Sequence, residues 1–179
     1  MSPRQYTRIK YRISQNCKIL FIGANPSPGT YERAIPYSNN KMFWYLLHDA
    51  GLIDEDRTIL KSDKNLKKIY EKKFTQVYQF GLINIADRPT KTFMEIKKEE
   101  AIPGILRILK AIKRYHPVVV CFIGKRTYQL FIQESACTYG WQPDIGSSKI
   151  FVMHTPLHGL ASVRVKELKE VGKVAGLLK

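Results

Sequence analysis

The segment KILFIGANPSPG, residues 18–29, decides the fold of this 179-residue chain. It begins with an apolar run, KILFI, and passes directly into a loop of glycine, proline and small polar residues. A short and nearly continuous apolar run of this kind is typical of a strand that is covered on both faces, as in a parallel sheet. The glycines and prolines predict a rigid, irregular loop that holds Asn25 just beyond the strand.

Three further apolar runs repeat this pattern, and segments with helical periodicity lie between the runs. The runs are FGLINI at 80–85, VVVCFI at 118–123 and IFVM at 150–153. The helical segments are residues 41–50, 62–73, 95–115, 125–134 and 162–178. Alternating strands and helices predict right-handed βαβ crossovers. We therefore expect an α/β fold: a single-domain, three-layer αβα sandwich around a central, mostly parallel sheet of four or five strands.

The first sixteen residues differ from the rest in composition, because basic residues alternate with tyrosines there. The basic residues are Arg4, Arg8, Lys10 and Arg12. We interpret residues 1–16 as a basic N-terminal arm, with a poorly ordered terminus as the alternative. Residues 17–179 form the predicted α/β domain.

The longest helical segment carries an apolar stripe. Its members recur at spacings of three and four residues: Ile102, Ile105, Leu106, Leu109 and Ile112. Such a stripe is typical of a helix face that packs on the core. We expect these five side chains to face the sheet.

The net charge of the chain narrows the classes of molecule that the protein could bind. Thirty Lys and Arg residues against fifteen Asp and Glu residues give a formal net charge of +15. This excess favours a polyanionic partner, with nucleic acid ahead of an anionic membrane; the alternative is that it only keeps the protein in solution. The three cysteines form no CxxC pattern and no apolar run could span a bilayer, so we expect an intracellular protein of the cytoplasm, nucleoid or nucleus.

Polar loops follow all four predicted strands, and open α/β sheets bind ligands beyond the carboxyl ends of their strands. The loops contain Gly23-Ala24-Asn25-Pro26-Ser27, Asn84-Ile85-Ala86-Asp87-Arg88-Pro89-Thr90, Gly124-Lys125-Arg126-Thr127 and His154-Thr155-Pro156-Leu157-His158-Gly159-Leu160. The third loop opens a helix, where free backbone N–H groups and Lys125 favour a phosphate. His154 alone is equally consistent with a histidine that is hydrogen-bonded near the core.

In this order, the motifs resemble those of the uracil-DNA glycosylase superfamily, and within it the mismatch-specific uracil/thymine DNA glycosylase branch. Residues 23–27 are similar to the Gly-Ile-Asn-Pro-Gly motif of that branch. Tyr37, followed by Asn40-Lys41-Met42-Phe43-Trp44, is similar to its aromatic residue and Asn-x-Phe-Trp helix start. The resemblance continues through residues 81–90, 122–125 and 145–150, and spans about residues 17 to 175.

The resemblance implies an enzyme that flips a damaged nucleotide out of DNA and hydrolyses its N-glycosidic bond. Asn25 takes the position of the residue that holds the attacking water; an amide orients water but is no strong base. Tyr37 matches the aromatic that stacks on the extruded base, with a core aromatic as the alternative. Gly23 and Ala24 belong to the implied base-binding set, and Asn84 either reads a pyrimidine edge or caps its loop.

The fourth loop departs from the branch. A histidine at its start is similar to the His-Pro-Ser pattern of other superfamily branches, which implies that His154 donates to the base and stabilises the leaving anion. The expected DNA-binding and wedge residues are Ser27, Lys125, Thr155, His158, Gly159, Leu160 and Arg164. Gly159 and Leu160 would enter the gap left by the flipped nucleotide. We expect no metal site, because Pro156 separates the two histidines and no further ligands lie nearby.

We interpret the chain as a monofunctional DNA glycosylase of base excision repair, acting as a monomer on double-stranded DNA without metal or cofactor. Ser27 replaces a family glycine, which alters how closely the backbone approaches the base or its 5′ phosphate. Ala24 replaces a bulky residue, so we expect a roomier pocket that accepts uracil, thymine, hypoxanthine or ethenocytosine, which the sequence does not rank. One alternative is a non-catalytic nucleic-acid-binding protein of the same fold, because the fourth motif is atypical. A small-nucleotide hydrolase is a third, but no Walker A, GxSxG or HExxH pattern supports it.

Overall fold

A computed structural model describes residues 9–179 and shows a five-stranded sheet. The strands are β1 (Ile19–Gly23), β2 (Phe80–Asn84), β3 (Val119–Ile123), β4 (Gly140–Ile145) and β5 (Ser148–Met153). Their spatial order is β2-β1-β3-β5-β4, and of these five strands only β4 runs antiparallel to its neighbour. The carboxyl ends of β1, β2, β3 and β5 therefore lie along one edge of the sheet.

Helices cover both faces of the sheet. They are α1 (Pro28–Arg33), α2 (Met42–Asp49), α3 (Arg57–Leu60), α4 (Asp63–Lys68), α5 (Lys98–Tyr115), α6 (Lys125–Ile132) and α7 (Ala161–Val174), with a π-helical turn at Ile69–Lys73 and a 3₁₀ turn at Phe93–Glu95. Helices α2 and α7 pack on one face, and α5 and α6 pack on the other. The predicted αβα sandwich is confirmed. No helix within residues 9–179 is long and apolar enough to cross a membrane.

The core divides along the sheet because successive strand residues point to opposite faces. In β1, Ile19 and Phe21 pack with α2 and α7, whereas Leu20 and Ile22 pack with α5 and α6. Every residue of β1, β2 and β3 is buried. Burial on both faces explains why these strands read as continuous apolar runs in the sequence.

Strand β4, helix α1 and the short helix α3 lie outside the predicted strands and helices. Strand β4 lies at one edge of the sheet; its residues are partly buried or exposed and include Pro143, so no apolar run marks it. Helix α1 begins inside the predicted loop at Pro28. Proline suits the first position of a helix, because its missing N–H would have no partner there.

The apolar stripe predicted to face the sheet is wrong for three of its five members. Ile102 and Leu106 are each 53% exposed, and Leu109 is 38% exposed. The buried residues of α5 are Ala101, Gly104, Ile108, Ala111 and Ile112. A Cβ on Gly104 would lie 1.7 Å from the carbonyl oxygen of Ile85. Because α5 approaches the end of β2 so closely through this glycine, its larger side chains at these three positions remain in solvent.

Residues 9–16 contact the outer edge of β2. The backbone carbonyl oxygen of Arg12 accepts a hydrogen bond from the N–H of Leu82 at 2.8 Å, in an isolated antiparallel bridge. Ile9 is buried. This segment is the second half of the predicted arm, whose first eight residues lie outside the described residues. The boundary between arm and domain stays a prediction.

Candidate active site

The loops that follow β1, β2, β3 and β5 surround a cavity of about 680 Å³. Each loop contributes to its wall, with Ala24 and Asn25 after β1, Asn84 at the end of β2, Lys125 after β3 and Thr155 after β5. Pockets that hold small organic ligands have comparable volumes. The cavity lies at the edge of the sheet where the sequence predicts a pocket.

Asn25 is held in the cavity wall through its amide nitrogen. Nδ2 donates to Oγ1 of Thr90 at 2.6 Å and to the carbonyl oxygen of Pro26 at 3.0 Å. Thr90 is buried, and its hydroxyl donates to the carbonyl oxygen of Thr92 at 2.6 Å. Both amide protons of Asn25 therefore have acceptors, and its Oδ1 is the atom that can accept a hydrogen bond from a water.

Backbone hydrogen bonds join the Asn25 loop to the loop after β2. The N–H groups of Ile85, Ala86 and Thr90 donate to the carbonyl oxygens of Gly23, Ala24 and Pro26 at 2.9, 2.8 and 3.2 Å. The contact between the two chain segments thus continues beyond the ends of the strands. The two loops consequently form one rigid wall of the cavity.

Gly23, the last residue of β1, is a point of close approach for two site side chains. A Cβ at this position would lie 2.3 Å from Oδ1 of Asn84 and 2.6 Å from the hydroxyl oxygen of Tyr37. Both distances are too short for a real Cβ, so the arrangement requires glycine. Asn84 is buried, and both Asn84 and Tyr37 line the cavity. The four predicted base-binding residues, including Ala24, therefore lie together.

Tyr37 stands in a loop with an unusual backbone. Ala34, Tyr37 and Lys41 have φ angles of 55°, 54° and 61°, although none of them is glycine. Such conformations cost free energy and are concentrated at functional sites. The Tyr37 ring packs on Phe43, with ring centroids 4.5 Å apart, and burial raises the pKa of its hydroxyl. The ring thus both packs on the core and borders the cavity.

Asp63, at the start of α4, anchors this loop. Oδ1 of Asp63 lies 2.8 Å from Nζ of Lys41, and Oδ2 lies 3.8 Å from Nε of Arg33. Arg33 also donates to the side chain of Asn39, whose amide nitrogen donates to the hydroxyl of Ser27 at 2.6 Å. These contacts stabilise the left-handed backbone and connect the loop to the segment that carries Asn25.

The predicted DNA-binding residues Ser27, Lys125, Thr155 and His158 line the cavity. Gly124 precedes Lys125 and has a φ of 95°, and a Cβ there would lie 2.7 Å from Cγ2 of Thr155. The loop after β3 therefore touches the loop after β5. This contact places Lys125 and the N-terminus of α6 beside the cavity, where they can attract a phosphate.

His154 is engaged by helix α7. Its Nδ1 lies 2.6 Å from Oε1 of Glu167, and its backbone N–H donates to Oε2 at 3.0 Å. Its ring stacks on Tyr139, with ring centroids 3.6 Å apart. His154 is not among the described residues that line the cavity, whereas Tyr139 and His158 are. Glu167 and Tyr139 therefore fix the orientation of the ring, and direct donation from His154 to the base stays a prediction. Within residues 9–179, no three His, Cys, Asp or Glu side chains lie close enough together to hold a metal ion.

Arg164 braces the fourth loop from inside. Its side chain is buried, and it donates through Nε to the carbonyl oxygen of Thr155 and through Nη1 to that of Leu160 at 2.6 Å. Arg164 thus holds the loop in shape, and its contact with DNA stays a prediction. Gly159 has a φ of 82°, and Leu160 is 73% exposed. The predicted wedge, Gly159 and Leu160, therefore lies in a turn that the hydrogen bonds of Arg164 hold in place.

Several residues of the site carry no functional prediction from the sequence. Thr90 holds Asn25, and Ile9, Phe93 and Tyr139 line the cavity. Thr90 ends the motif at residues 84–90 that supports the resemblance, so a signal for it was present. Phe93 and Tyr139 lie in segments without a regular pattern, and Ile9 precedes the predicted domain, so no periodicity marks them.

The charged residues of that motif contact α5 and not the cavity. Both carboxylate oxygens of Asp87 lie 3.1 Å from the guanidinium of Arg107. Arg88 pairs with Glu100 at 3.1 Å. Arg107 also donates to the backbone carbonyl oxygen of Asn84 at 2.7 Å. These ion pairs and hydrogen bonds therefore hold the loop after β2 against helix α5.

A comparison with known protein families agrees with this arrangement. The sequence model described as the Uracil DNA glycosylase superfamily matches residues 11–173. The matched span contains all five strands and the four loops around the cavity. The chain belongs to the uracil-DNA glycosylase superfamily.

Proposed function

We propose that this protein is a monofunctional DNA glycosylase that removes a deaminated or mismatched base from double-stranded DNA. Membership of the superfamily supports DNA glycosylase activity in general. The observation that carries the proposal is the fixed amide of Asn25 in the wall of a cavity that also presents Tyr37 and Asn84. These three side chains supply water binding, stacking and hydrogen bonding to a single extruded base.

Asn25 orients the attacking water. Its Oδ1 accepts a hydrogen bond from water, but an amide cannot take up the proton as a strong base would. The reaction is therefore dissociative: the bond between C1′ and the base nitrogen breaks first, and the base leaves with the electron pair. The water oxygen then forms its bond to C1′, and the proton that it releases neutralises the base.

The departing base is stabilised by the groups around Gly23. The Asn84 amide has a donor and an acceptor that match a pyrimidine edge. The Tyr37 ring offers stacking worth roughly 1–3 kcal/mol, as aromatic side chains do for bases in single-strand binders. Donors placed on developing negative charge are usually the largest source of rate enhancement.

The fourth loop opens the duplex in this proposal. Leu160 and His158 enter the space left by the flipped nucleotide, while Lys125, Ser27 and Thr155 contact the phosphates on either side. His154 acts here as a positioning residue, because Glu167 and Tyr139 hold its ring. The direct donor to the base is then Asn84.

The substrate range follows from the small residues of the first loop. Ala24 leaves more room than the bulky residue of the mismatch-specific uracil/thymine branch, to which we assign the chain, whereas Ser27 adds a side chain where that branch has glycine and so alters how closely the backbone approaches the base or its 5′ phosphate. We propose uracil, thymine, hypoxanthine and ethenocytosine as substrates in base excision repair, acted on by a monomer that works inside the cell. The net charge of +15 supports DNA as the partner.

The test is release of a base from a panel of lesion-bearing oligonucleotides. Duplexes with G·U, G·T, hypoxanthine or ethenocytosine, and the matching undamaged duplex, are incubated with excess protein and assayed for abasic sites. We expect product from at least one lesion and none from the undamaged control. Salt-sensitive duplex binding without product on any lesion would favour the non-catalytic nucleic-acid-binding protein instead.

A further inference from the structure

Met94 is the most exposed large apolar side chain within residues 9–179, at 76%, and Leu160 follows at 73%. Each is close to residues that line the cavity. Phe93, next to Met94, lines the cavity, as does Arg126, whose Nη1 lies 3.7 Å from the sulfur of Met94. His158, two residues before Leu160, lines it as well. The two most exposed apolar tips therefore border the same opening.

The turn that carries Met94 is fixed on both sides. The backbone N–H and the hydroxyl of Thr92 lie 3.0 and 3.2 Å from Oε1 of Glu95, which closes a capping box. Arg88 donates to the carbonyl oxygen of Glu95 at 2.8 Å. The carbonyl oxygen of Thr92 accepts from Thr90, the residue that holds Asn25. Met94 is therefore presented by a rigid turn that is joined to the catalytic wall.

Met94 and Leu160 stand on opposite sides of the cavity. The Met94 turn follows β2 and Leu160 follows β5, and these strands are separated by β1 and β3. Three strand spacings place their ends about 14 Å apart at the level of the sheet. The Met94 turn also leads into α5 on one face of the sheet, whereas Leu160 leads into α7 on the other.

We propose that Met94 is a second apolar wedge, which packs against the base step beside the flipped nucleotide while Leu160 fills the gap on the other side. This inference rests on the proposed function. Methionine is flexible and polarisable, and it is one of the side chains that wedge between base steps. Arg126 beside it supplies the positive charge that holds a phosphate next to the wedge.

The wedge acts on the duplex and not on the extruded base. An intact duplex must be unstacked before a base can be flipped, whereas a single strand offers little resistance. Met94 therefore matters for excision from double-stranded DNA and not for excision from the same oligonucleotide as a single strand. This contrast separates it from any residue of the base pocket.

The experiment compares wild type, Met94→Ala, Met94→Leu and the control Val77→Ala. Val77 is also exposed, at 57%, but precedes β2 and so lies at the opposite end of that strand. Single-turnover excision of uracil is measured on a G·U duplex and on the single strand. Fluorescence of 2-aminopurine placed beside the lesion reports unstacking on binding, with or without excision, and thermal unfolding checks that each variant is folded.

We expect Met94→Ala to slow excision from the duplex about fivefold to tenfold, as loss of a partly buried apolar contact does. Its single-strand rate, and both rates of Met94→Leu and Val77→Ala, should stay near wild type, and the 2-aminopurine signal should fall for Met94→Ala alone. An unchanged duplex rate and signal, or an equal loss on both substrates, would overturn the wedge. If wild type unstacks the duplex but releases no base, the proposed function fails, and the fluorescence of Met94→Ala still decides the role of Met94.

Discussion

The guanidinium of Arg107 donates a hydrogen bond of 2.7 Å to the backbone carbonyl oxygen of Asn84. Arg107 lies on α5, one turn after Gly104, whose backbone touches that of Ile85. The same guanidinium pairs with Asp87. Helix α5 thus holds the loop that carries Asn84 in place. The orientation of the Asn84 side chain in the cavity therefore depends on a residue outside the cavity wall.

Replacing Arg107 should disturb the site through this loop. We expect Arg107→Ala to lower the free energy of unfolding by about 1–2 kcal/mol, because hydrogen bonds from a charged group to a carbonyl oxygen and a carboxylate are lost. Excision should fall with it, and Arg107→Lys should recover only part of both. Thermal unfolding and base release measure the two effects, with Lys110→Ala on the exposed side of α5 as the control. A wild-type excision rate in Arg107→Ala would contradict this role.

Thr90 should control the rate of bond cleavage and leave DNA binding intact. In Thr90→Val the shape is kept but the hydroxyl that accepts from the Asn25 amide is lost, so the amide is held only by the carbonyl oxygen of Pro26. We expect about a tenfold slower single-turnover rate, equivalent to one net hydrogen bond. Thr90→Ser, which keeps the hydroxyl, should stay close to wild type. Equal rates for the valine and serine variants would show that the hydrogen bond has no part in orienting water.

Gly23→Ala should damage the site more than the fold. The new methyl group would meet both Asn84 and Tyr37, and relief requires at least one of them to move. We expect a loss of about 1–3 kcal/mol of stability, as for other overpacked positions, and weaker capture of the base. Gly81→Ala, at another glycine of the same sheet, is the matched control, because the atoms nearest to its methyl group belong to the side chains of Leu20, Cys17 and Ile13, which do not line the cavity. If both variants excise equally well, the crowding at Gly23 has no functional meaning.

A double-mutant cycle tests whether His154 acts through Glu167. If the imidazole only positions the fourth loop, His154→Ala and Glu167→Ala should slow excision by similar factors. The double variant should then be no slower than either single one, because residues in one hydrogen-bonded pair are not additive. A much larger loss in His154→Ala than in Glu167→Ala would restore His154 as a direct donor to the base.

The central strands could be predicted from the sequence because each is buried on both faces. Strand β4 could not, since an edge strand that is exposed along much of its length shows no apolar run. The side of α5 that packs on the sheet was also predicted wrongly, because spacing alone does not reveal that Gly104 brings the helix within contact of Ile85. Close approach of two backbones favours small residues, whose periodicity is weak.

The residues of the candidate site, too, could be predicted only in part from the sequence. Asn25 lies two residues after β1, Asn84 ends β2 and Lys125 begins the helix after β3, so topology alone brings them to one edge. The roles of His154, Arg164 and Thr90 depend on the side-chain hydrogen bonds that they form, with Glu167, with the loop carbonyl oxygens and with Asn25, respectively. Such pairings follow from side-chain packing, which no local pattern encodes.

The most direct measurement is the single-turnover release of uracil from a G·U duplex by wild type and by Asn25→Ala. Binding is measured on the same duplex with a 2′-fluoro nucleotide that resists cleavage. The wild type should produce abasic sites, and Asn25→Ala should be slower by ~100-fold, as when one fixed polar group of an active site is removed, with binding nearly unchanged. Equal rates for the two proteins, or no base released by the wild type from any lesion of the panel, would contradict the account.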